Sequence, residues 1–149
     1  MPKVRDLLMR KSARGAATDI VSVAPDATVL EAAQLMTSRG IGGLLVLDGT
    51  ELAGIFTERD ILRRVVNEQR DPSTTRVREV MTSPVLAVTP DTPVAECRSL
   101  FTNRRIRHLP VADATGLTGV ITSGDVLAFE SDEQRTTIEH LESYVYQNR

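Results

Sequence analysis

The sequence predicts an α/β (α+β) fold made of two β-α-β-β-α repeats packed with pseudo-twofold symmetry, followed by a C-terminal helix. Three observations carry that prediction. First, the chain repeats itself in register: Pro25-Asp26 returns as Pro90-Asp91, Ile41 as Ile106, Val46 as Val111, Asp48 as Asp113, Gly54 as Gly119 and Asp60 as Asp125, each 65 residues on. Val23, Val29, Glu31, Leu35, Thr37, Arg39, Leu44, Thr50, Leu52, Thr57 and Leu62 hold the same offset, so the repeat needs no gap. Second, Gly54-Ile55-Phe56-Thr57-Glu58-Arg59-Asp60 recurs as Gly119-Val120-Ile121-Thr122-Ser123-Gly124-Asp125, a run of β-formers that passes at once into an apolar helical pattern. Third, Pro-Asp, Asp-Gly and Gly punctuate the first copy where turns are required. Two repeats and no more are expected to close on each other instead of stacking into an open solenoid.

The elements follow in order. Val4, Leu7 and Leu8, and in parallel Val77, Val80 and Met81, read as short amphipathic lead-in turns. Residues Ile20 to Val23 form a short strand that Pro25-Asp26 turns. A helix runs from about Thr28 to Arg39, with Thr28 and Glu31 spaced as a capping box and Gly40 as its stop. In the second copy Thr92-Pro93 supplies an N-cap and a first-turn proline, one residue out of step with the first. Strands Leu44 to Leu47 and Leu52 to Thr57 are joined by Asp48-Gly49-Thr50, a hairpin signal. A helix from about Glu58 to Asn67 closes the copy. The expected division is a first repeat at 3–68, a polar linker at 69–76, a second repeat at 77–129 and a helical tail at 130–149, with Ser131 to Gln134 as a polar break before the last helix. Ile138, Leu141, Tyr144 and Val145 give that helix an apolar stripe, expected to dock on the body or on a second subunit.

Composition narrows the function. With 149 residues, 41% hydrophobic and 26% charged, the chain can bury a real core. A formal net charge of −2 argues against generic nucleic-acid binding, which needs a positive excess to displace counterions. The N-terminal residues show no continuous apolar segment of signal-peptide type, and the longest apolar run, Ile41 to Leu47, is too short to cross a bilayer. The single cysteine, Cys97, falls on a helix face expected to be buried and reads as a small core hydrophobe. These features predict a cytoplasmic protein without membrane attachment.

The Thr-x-x-Asp corner has two readings. Thr and Asp three residues apart at a helix start form a capping box that stabilises the helix and nothing more. The same pair can also serve a ligand, since an ionised carboxylate accepts two hydroxyl protons and a helix N-terminus attracts phosphate. No Ser-His-Asp arrangement, Cys-His pair, metal-spaced cluster or glycine-rich phosphate loop points to an enzyme. His140 and Arg104 read as surface residues, and Arg63 and Arg64 as solvent-facing with one of them within reach of a phosphate; the run Arg104-Arg105-Ile106-Arg107-His108 reads as a nucleic-acid patch, a solvated face or a phosphate clamp, the last through Arg107 and His108.

The ordered set of β-α-β-β-α repeat, Pro-Asp turn, Leu109-Pro110-Val111-Ala112-Asp113 strand and Gly-led Thr-x-x-Asp corner resembles the cystathionine-beta-synthase-type (CBS) domain, present here as one tandem pair. The resemblance implies a non-catalytic regulatory module for AMP, ADP, ATP, NAD or S-adenosylmethionine, with no catalytic cofactor, and a homodimer. It implies that Asp60 and Asp125 hold ribose hydroxyls and that Thr57 and Thr122 contact phosphate, each beside the apolar corner residues Ile55 and Val120. It further implies that each corner faces the other copy: Thr57 and Asp60 toward Arg107 and His108 with Leu86 lining the base pocket, Thr122 and Asp125 toward Gly42 and Gly43 with Val21 lining theirs. On that reading the first corner, with Arg59 and Arg107, is the tighter phosphate site, while the second has glycine backbone and Gly124 and no side-chain charge. A structural or partner-binding adaptor with empty clefts is the alternative, and an enzyme acting on nucleotides the less favoured one.

Overall fold

The computed structural model describes residues 1–13, 20–104 and 106–147; Arg105 and the side chain of Tyr144 lie outside the described residues. In chain order the elements are α1 (Val4–Ala13), β1 (Ser22–Val23), α2 (Val29–Arg39), β2 (Gly43–Asp48), β3 (Glu51–Thr57), α3 (Glu58–Asp60), α4 (Val77–Val80), α5 (Val94–Arg104), β4 (His108–Asp113), β5 (Gly116–Thr122) and α6 (Ser123–Gln147). The mixed α/β class and the C-terminal helix are as the sequence predicts.

The chain forms two compact units: Asp19–Ala87 with Ala114–Leu117 in one, and Met1–Thr18, Val88–Asp113 and Thr118–Arg149 in the other. They are called here the first-repeat and second-repeat units. The first-repeat unit carries the sheet β1-β2-β3, in which β1 pairs parallel with β2 and β2 antiparallel with β3, with a bulge between Val46 and Leu47. Gly49, at φ 64°, turns the hairpin in the left-handed region that favours glycine. The second-repeat unit carries the hairpin β4-β5, with Val88 bridging Val111 in parallel where β1 meets β2 in the other copy.

Helix α2 begins at a capping box: Thr28 Oγ1 accepts the Glu31 N–H at 3.1 Å, and Glu31 Oε2 accepts the Thr28 N–H at 3.1 Å. Gly40 ends it at φ 63°. In the second copy the start lies one residue later than expected. Pro93 O accepts the Cys97 N–H at 3.3 Å, while Thr92 Oγ1 accepts the Thr89 N–H at 3.0 Å and closes the preceding turn. Val29 and Val94 therefore both open their helices, and the 65-residue offset holds without the expected slip.

The lead-ins are exchanged between repeats. Residues 2–8 pack in the second-repeat unit: Val94 N donates to Pro2 O (3.0 Å), Val4 N to Thr92 O (2.8 Å) and Arg5 N to Pro90 O (3.0 Å). Residues 75–81 do the same in the first-repeat unit, where Val29 N donates to Thr75 O (2.9 Å), Val77 N to Ala27 O (2.8 Å) and Arg78 N to Pro25 O (3.0 Å). Each lead-in thus satisfies a helix-start N–H that the helix itself leaves orphaned. Ion pairs Arg5–Asp91 and Arg78–Asp26 repeat the match. Two cores result. One gathers Val29, Ala32, Met36, Leu44, Val46, Phe56 and Val65 with Val77 and Val80 of the lead-in; the other gathers Cys97, Phe101, Leu109, Val111, Ile121, Val126 and Phe129 with Val4 and Leu7.

Two helices depart from expectation. After α3 the chain widens into a π segment, Ile61–Val66, with Asn67 N bonded to Leu62 O at 3.0 Å. In the second copy there is no break at Ser131 to Gln134: α6 runs for 25 residues from the corner to Gln147. Ser131 to Gln134 hold neither Gly nor Pro, so nothing there ends a helix already nucleated. The stripe at Ile138, Leu141 and Val145 is exposed.

Candidate functional site

Each corner is the junction where a strand hands over to a helix, and each is capped by its own residues. In the first, Thr57 ends β3 with extended backbone (φ −129°, ψ 168°), Asp60 Oδ2 accepts its N–H at 3.0 Å, and Thr57 Oγ1 accepts the Asp60 N–H at 3.4 Å. In the second, Asp125 Oδ2 accepts the Thr122 N–H at 2.8 Å and Thr122 Oγ1 accepts the Asp125 N–H at 3.1 Å. The structural reading of Thr-x-x-Asp therefore holds at both corners, and it fixes the carboxylate at the helix start.

The corners differ in what else holds the acid. Asp60 is only 5% exposed, and its Oδ1 accepts a hydrogen bond from Thr82 Oγ1 at 3.0 Å, with Arg64 Nε 3.9 Å away. Arg64 is not simply solvent-facing: it donates to Met81 O at 2.7 Å and Val80 O at 3.3 Å. Thr82 is in place because the lead-in leaves its helix and bridges Ile55, each N–H meeting the other's carbonyl at 3.0 and 2.8 Å. The close approach requires glycine: a Cβ on Gly54 would lie 2.6 Å from Met81 Sδ and 2.9 Å from Thr82 O.

At Asp125 the partner is a cation. Lys11, the last turn of α1, donates to Asp125 Oδ2 at 2.8 Å and to Val120 O at 3.3 Å, and the two side chains are only 13% and 19% exposed. The expectation that the second corner has no side-chain charge is corrected by this pair. Sequence reasoning missed Lys11 because no 65-residue offset connects it to the first copy. On the 73-residue offset of the exchanged lead-ins its counterpart is Pro84, and α1 stays helical past the point where the other lead-in becomes extended.

The remaining residues implied by the resemblance fall as follows. Within each unit a corner is tied to the start of its own hairpin: Glu58 N donates to Gly42 O and Ser123 N to Arg107 O, both at 3.1 Å. Gly43 pairs with Thr57 across β2 and β3, and His108 opens β4. Arg59 and Arg107 are exposed, Leu86 is 40% exposed, and Val21, Ile55 and Val120 are half-buried. A cavity of about 380 Å³ beside the first corner is lined by Ala33, Met36, Thr37, Gly40, Ile41, Gly42, Glu58 and Ile61, and does not reach Asp60. Cys97 is fully buried, and burial, reinforced by the charge of Glu96, pushes its thiol up to about 11. Among the described residues no cluster of His, Cys, Asp or Glu could hold a metal ion, and no helix is long and apolar enough to cross a membrane.

Two units, β-α-β-β-α in the first and α-β-β-α with a Val88 bridge in the second, each with Thr-x-x-Asp where strand turns to helix, define a tandem-repeat α/β module. The CBS domain family matches residues 4–67 and 77–132, and the chain belongs to that family. Over 125 residues it is 38% identical to the mitochondrial CBS domain-containing protein CBSX3 of Arabidopsis thaliana, a match spanning 80% of this chain and 61% of that protein, less than two thirds of its length. A protein with CBS domains from Burkholderia ambifaria is 42% identical, with a TM-score of 0.78 covering 85% of this chain and 91% of that one. The CBS domain pair of protein MJ0100, solved with 5′-methylthioadenosine and S-adenosyl-L-methionine, shares the fold at 22% identity and TM-score 0.74, covering 89% of this chain and 98% of that one.

Proposed function

We propose that this chain is a non-catalytic regulatory module that binds an adenosine-containing nucleotide, AMP, ADP, ATP or NAD, at its Thr-x-x-Asp corners. Asp60 and Asp125 accept the ribose hydroxyls, and Thr57 and Thr122 meet phosphate beside the helix starts. The observation that carries this reading is the shared geometry: both carboxylates are pinned by the same backbone N–H, at 3.0 and 2.8 Å, at the point where helix-start N–H groups face an anion. A protein of the same fold takes up two adenosine compounds, which is a precedent for the ligand class. Binding shifts an equilibrium only by its differential affinity for two arrangements, so regulation requires that occupied and empty forms differ.

A second reading, an adaptor that keeps the corners as helix caps only, is favoured at one place: Asp60 is buried and both of its oxygens are already engaged. A thermal-shift panel decides. A nucleotide at 100 times its Kd stabilises the native state by about 2.7 kcal/mol, which raises the Tm by roughly 5 °C or more for a chain of this size. Asp60→Asn and Asp125→Asn should abolish that shift; the first should cost about 1 kcal/mol of stability or less, since the amide keeps a capping oxygen, and the second about 1–3 kcal/mol, since it also takes the counter-charge from Lys11. A flat response of the unmodified protein to AMP, ADP, ATP, NAD and S-adenosylmethionine removes the nucleotide reading and leaves the adaptor.

A further inference from the structure

We propose that Lys11 is a ligand-binding residue of the second corner, which exchanges Asp125 for the anionic group of the ligand and so makes this corner select phosphate-bearing adenosine compounds over neutral nucleosides. This rests on the reading of Asp125 as the ribose acceptor. Lys11 Nζ sits 2.8 Å from Asp125 Oδ2, an oxygen that also accepts the Thr122 N–H, so a ribose diol arriving there meets an acceptor already engaged by a cation. The pair is largely shielded from water, at 13% and 19% side-chain exposure. A charge-assisted bond in such a setting is roughly twice as strong as a neutral one, and among the described residues the lysine left behind keeps the Val120 carbonyl alone, at 3.3 Å.

A neutral nucleoside offers that ammonium no counter-charge in return. A nucleotide does: its phosphate supplies the counter-charge, and the flexible stem of lysine lets Nζ swing to it while the hydroxyls take over the carboxylate. The corner thus couples sugar recognition to anion recognition through one side chain. The first corner is built otherwise. There the extra donor on the acid is the neutral Thr82 hydroxyl, and the nearest cation among the described residues, Arg64, stands 3.9 Å off and is held by the Met81 and Val80 carbonyls.

The test reads each corner separately in the full chain by amide chemical shifts, with Gly124 and Asp125 reporting the second corner and Arg59 and Asp60 the first. Wild type, Lys11→Met and Lys11→Arg are titrated with AMP and with adenosine, and the ratio of the two affinities is taken for each protein, so that global stability cancels. In wild type AMP should bind the second corner roughly tenfold more tightly than adenosine or better, the worth of one charge-assisted contact. Lys11→Met should cut that ratio several-fold, tightening adenosine as it weakens AMP and leaving what Thr122 and the helix start contribute, while Lys11→Arg keeps most of the preference and the first corner's ratio stays unchanged. A second-corner ratio that Lys11→Met leaves intact overturns the proposal while sparing the nucleotide reading. Absence of any shift at either corner with either compound overturns both.

Discussion

Single residues in this chain carry constraints that the repeat hides. Gly54 and Gly119 are equivalent by sequence, yet an added methyl meets different surroundings: Met81 Sδ at 2.6 Å and the Thr82 carbonyl at 2.9 Å in one case, the flexible Leu8 side chain at 3.4 Å in the other. Gly54→Ala should therefore cost about 1–3 kcal/mol, because backbone must move, and Gly119→Ala less than about 1 kcal/mol. Urea denaturation of the two variants checks this, and equal losses would mean that the lead-in yields as easily as a side chain. Cys97 gives a pH signature. Its thiol is raised from 9.0 to about 11 in the folded chain by burial, so the folded state holds its proton where the unfolded state has lost it. This contribution to stability is fully present below pH 9 and fades as pH rises toward 11. At pH 8 the thiolate fraction is then smaller than in the unfolded chain, and a thiol reagent should label the buried thiol of native protein roughly tenfold more slowly than protein in denaturant. Lys11 belongs to the same scale: nothing in its local sequence marks it, and only its place on the exchanged lead-in brings it to Asp125.

Among the elements, those specified by local chemistry were legible and those specified by partners were not. The capping box at Thr28 and Glu31, the Gly40 stop and the Asp48-Gly49 hairpin are contacts within a few residues, and each forms as read. The break expected at Ser131 to Gln134 fails because polarity alone does not end a helix; Gly or Pro would be needed. The continuation has local support, since Arg10 of α1 pairs with Glu133 and lies 4.6 Å over the Phe129 ring. The π segment at Ile61–Val66 carries no signal that the sequence reading used. Helix α1 shows what partners add: Leu7 is buried in the core of Cys97, Phe101, Ile121 and Phe129, not in that of its own repeat. Leu7→Ala should cost about 2–4 kcal/mol, and hydrogen exchange should quicken in α5, β4, β5 and the start of α6 while α2, β2 and β3 stay protected. Faster exchange confined to α2, β2 and β3 would contradict the exchanged packing.

At the scale of the whole chain, the sequence repeat and the folded unit are different objects. Self-similarity at 65 residues located both bodies and both corners, but the lead-ins follow a 73-residue offset because each packs on the body of the other repeat, and a search for one period cannot reveal two. The exchange has a thermodynamic consequence. A fragment ending at residue 76 would lack Val77, Val80 and the Thr82 bridge, which complete the first-repeat core and the Asp60 corner, and would carry an α1 whose apolar face has no body to cover. Losing two fully buried valines alone costs about 3 kcal/mol or more, a large part of the 5–15 kcal/mol that stabilises an ordinary domain. Residues 1–76 and 77–149 expressed separately should therefore show no cooperative thermal transition. Mixed from denaturant in equal amounts, they should restore one, since each then supplies the lead-in that the other needs. The measurement is circular dichroism of each half and of the mixture. A sharp melting transition in either half alone would show that the lead-in is an accessory, and it would leave the repeat of the sequence as the unit of folding.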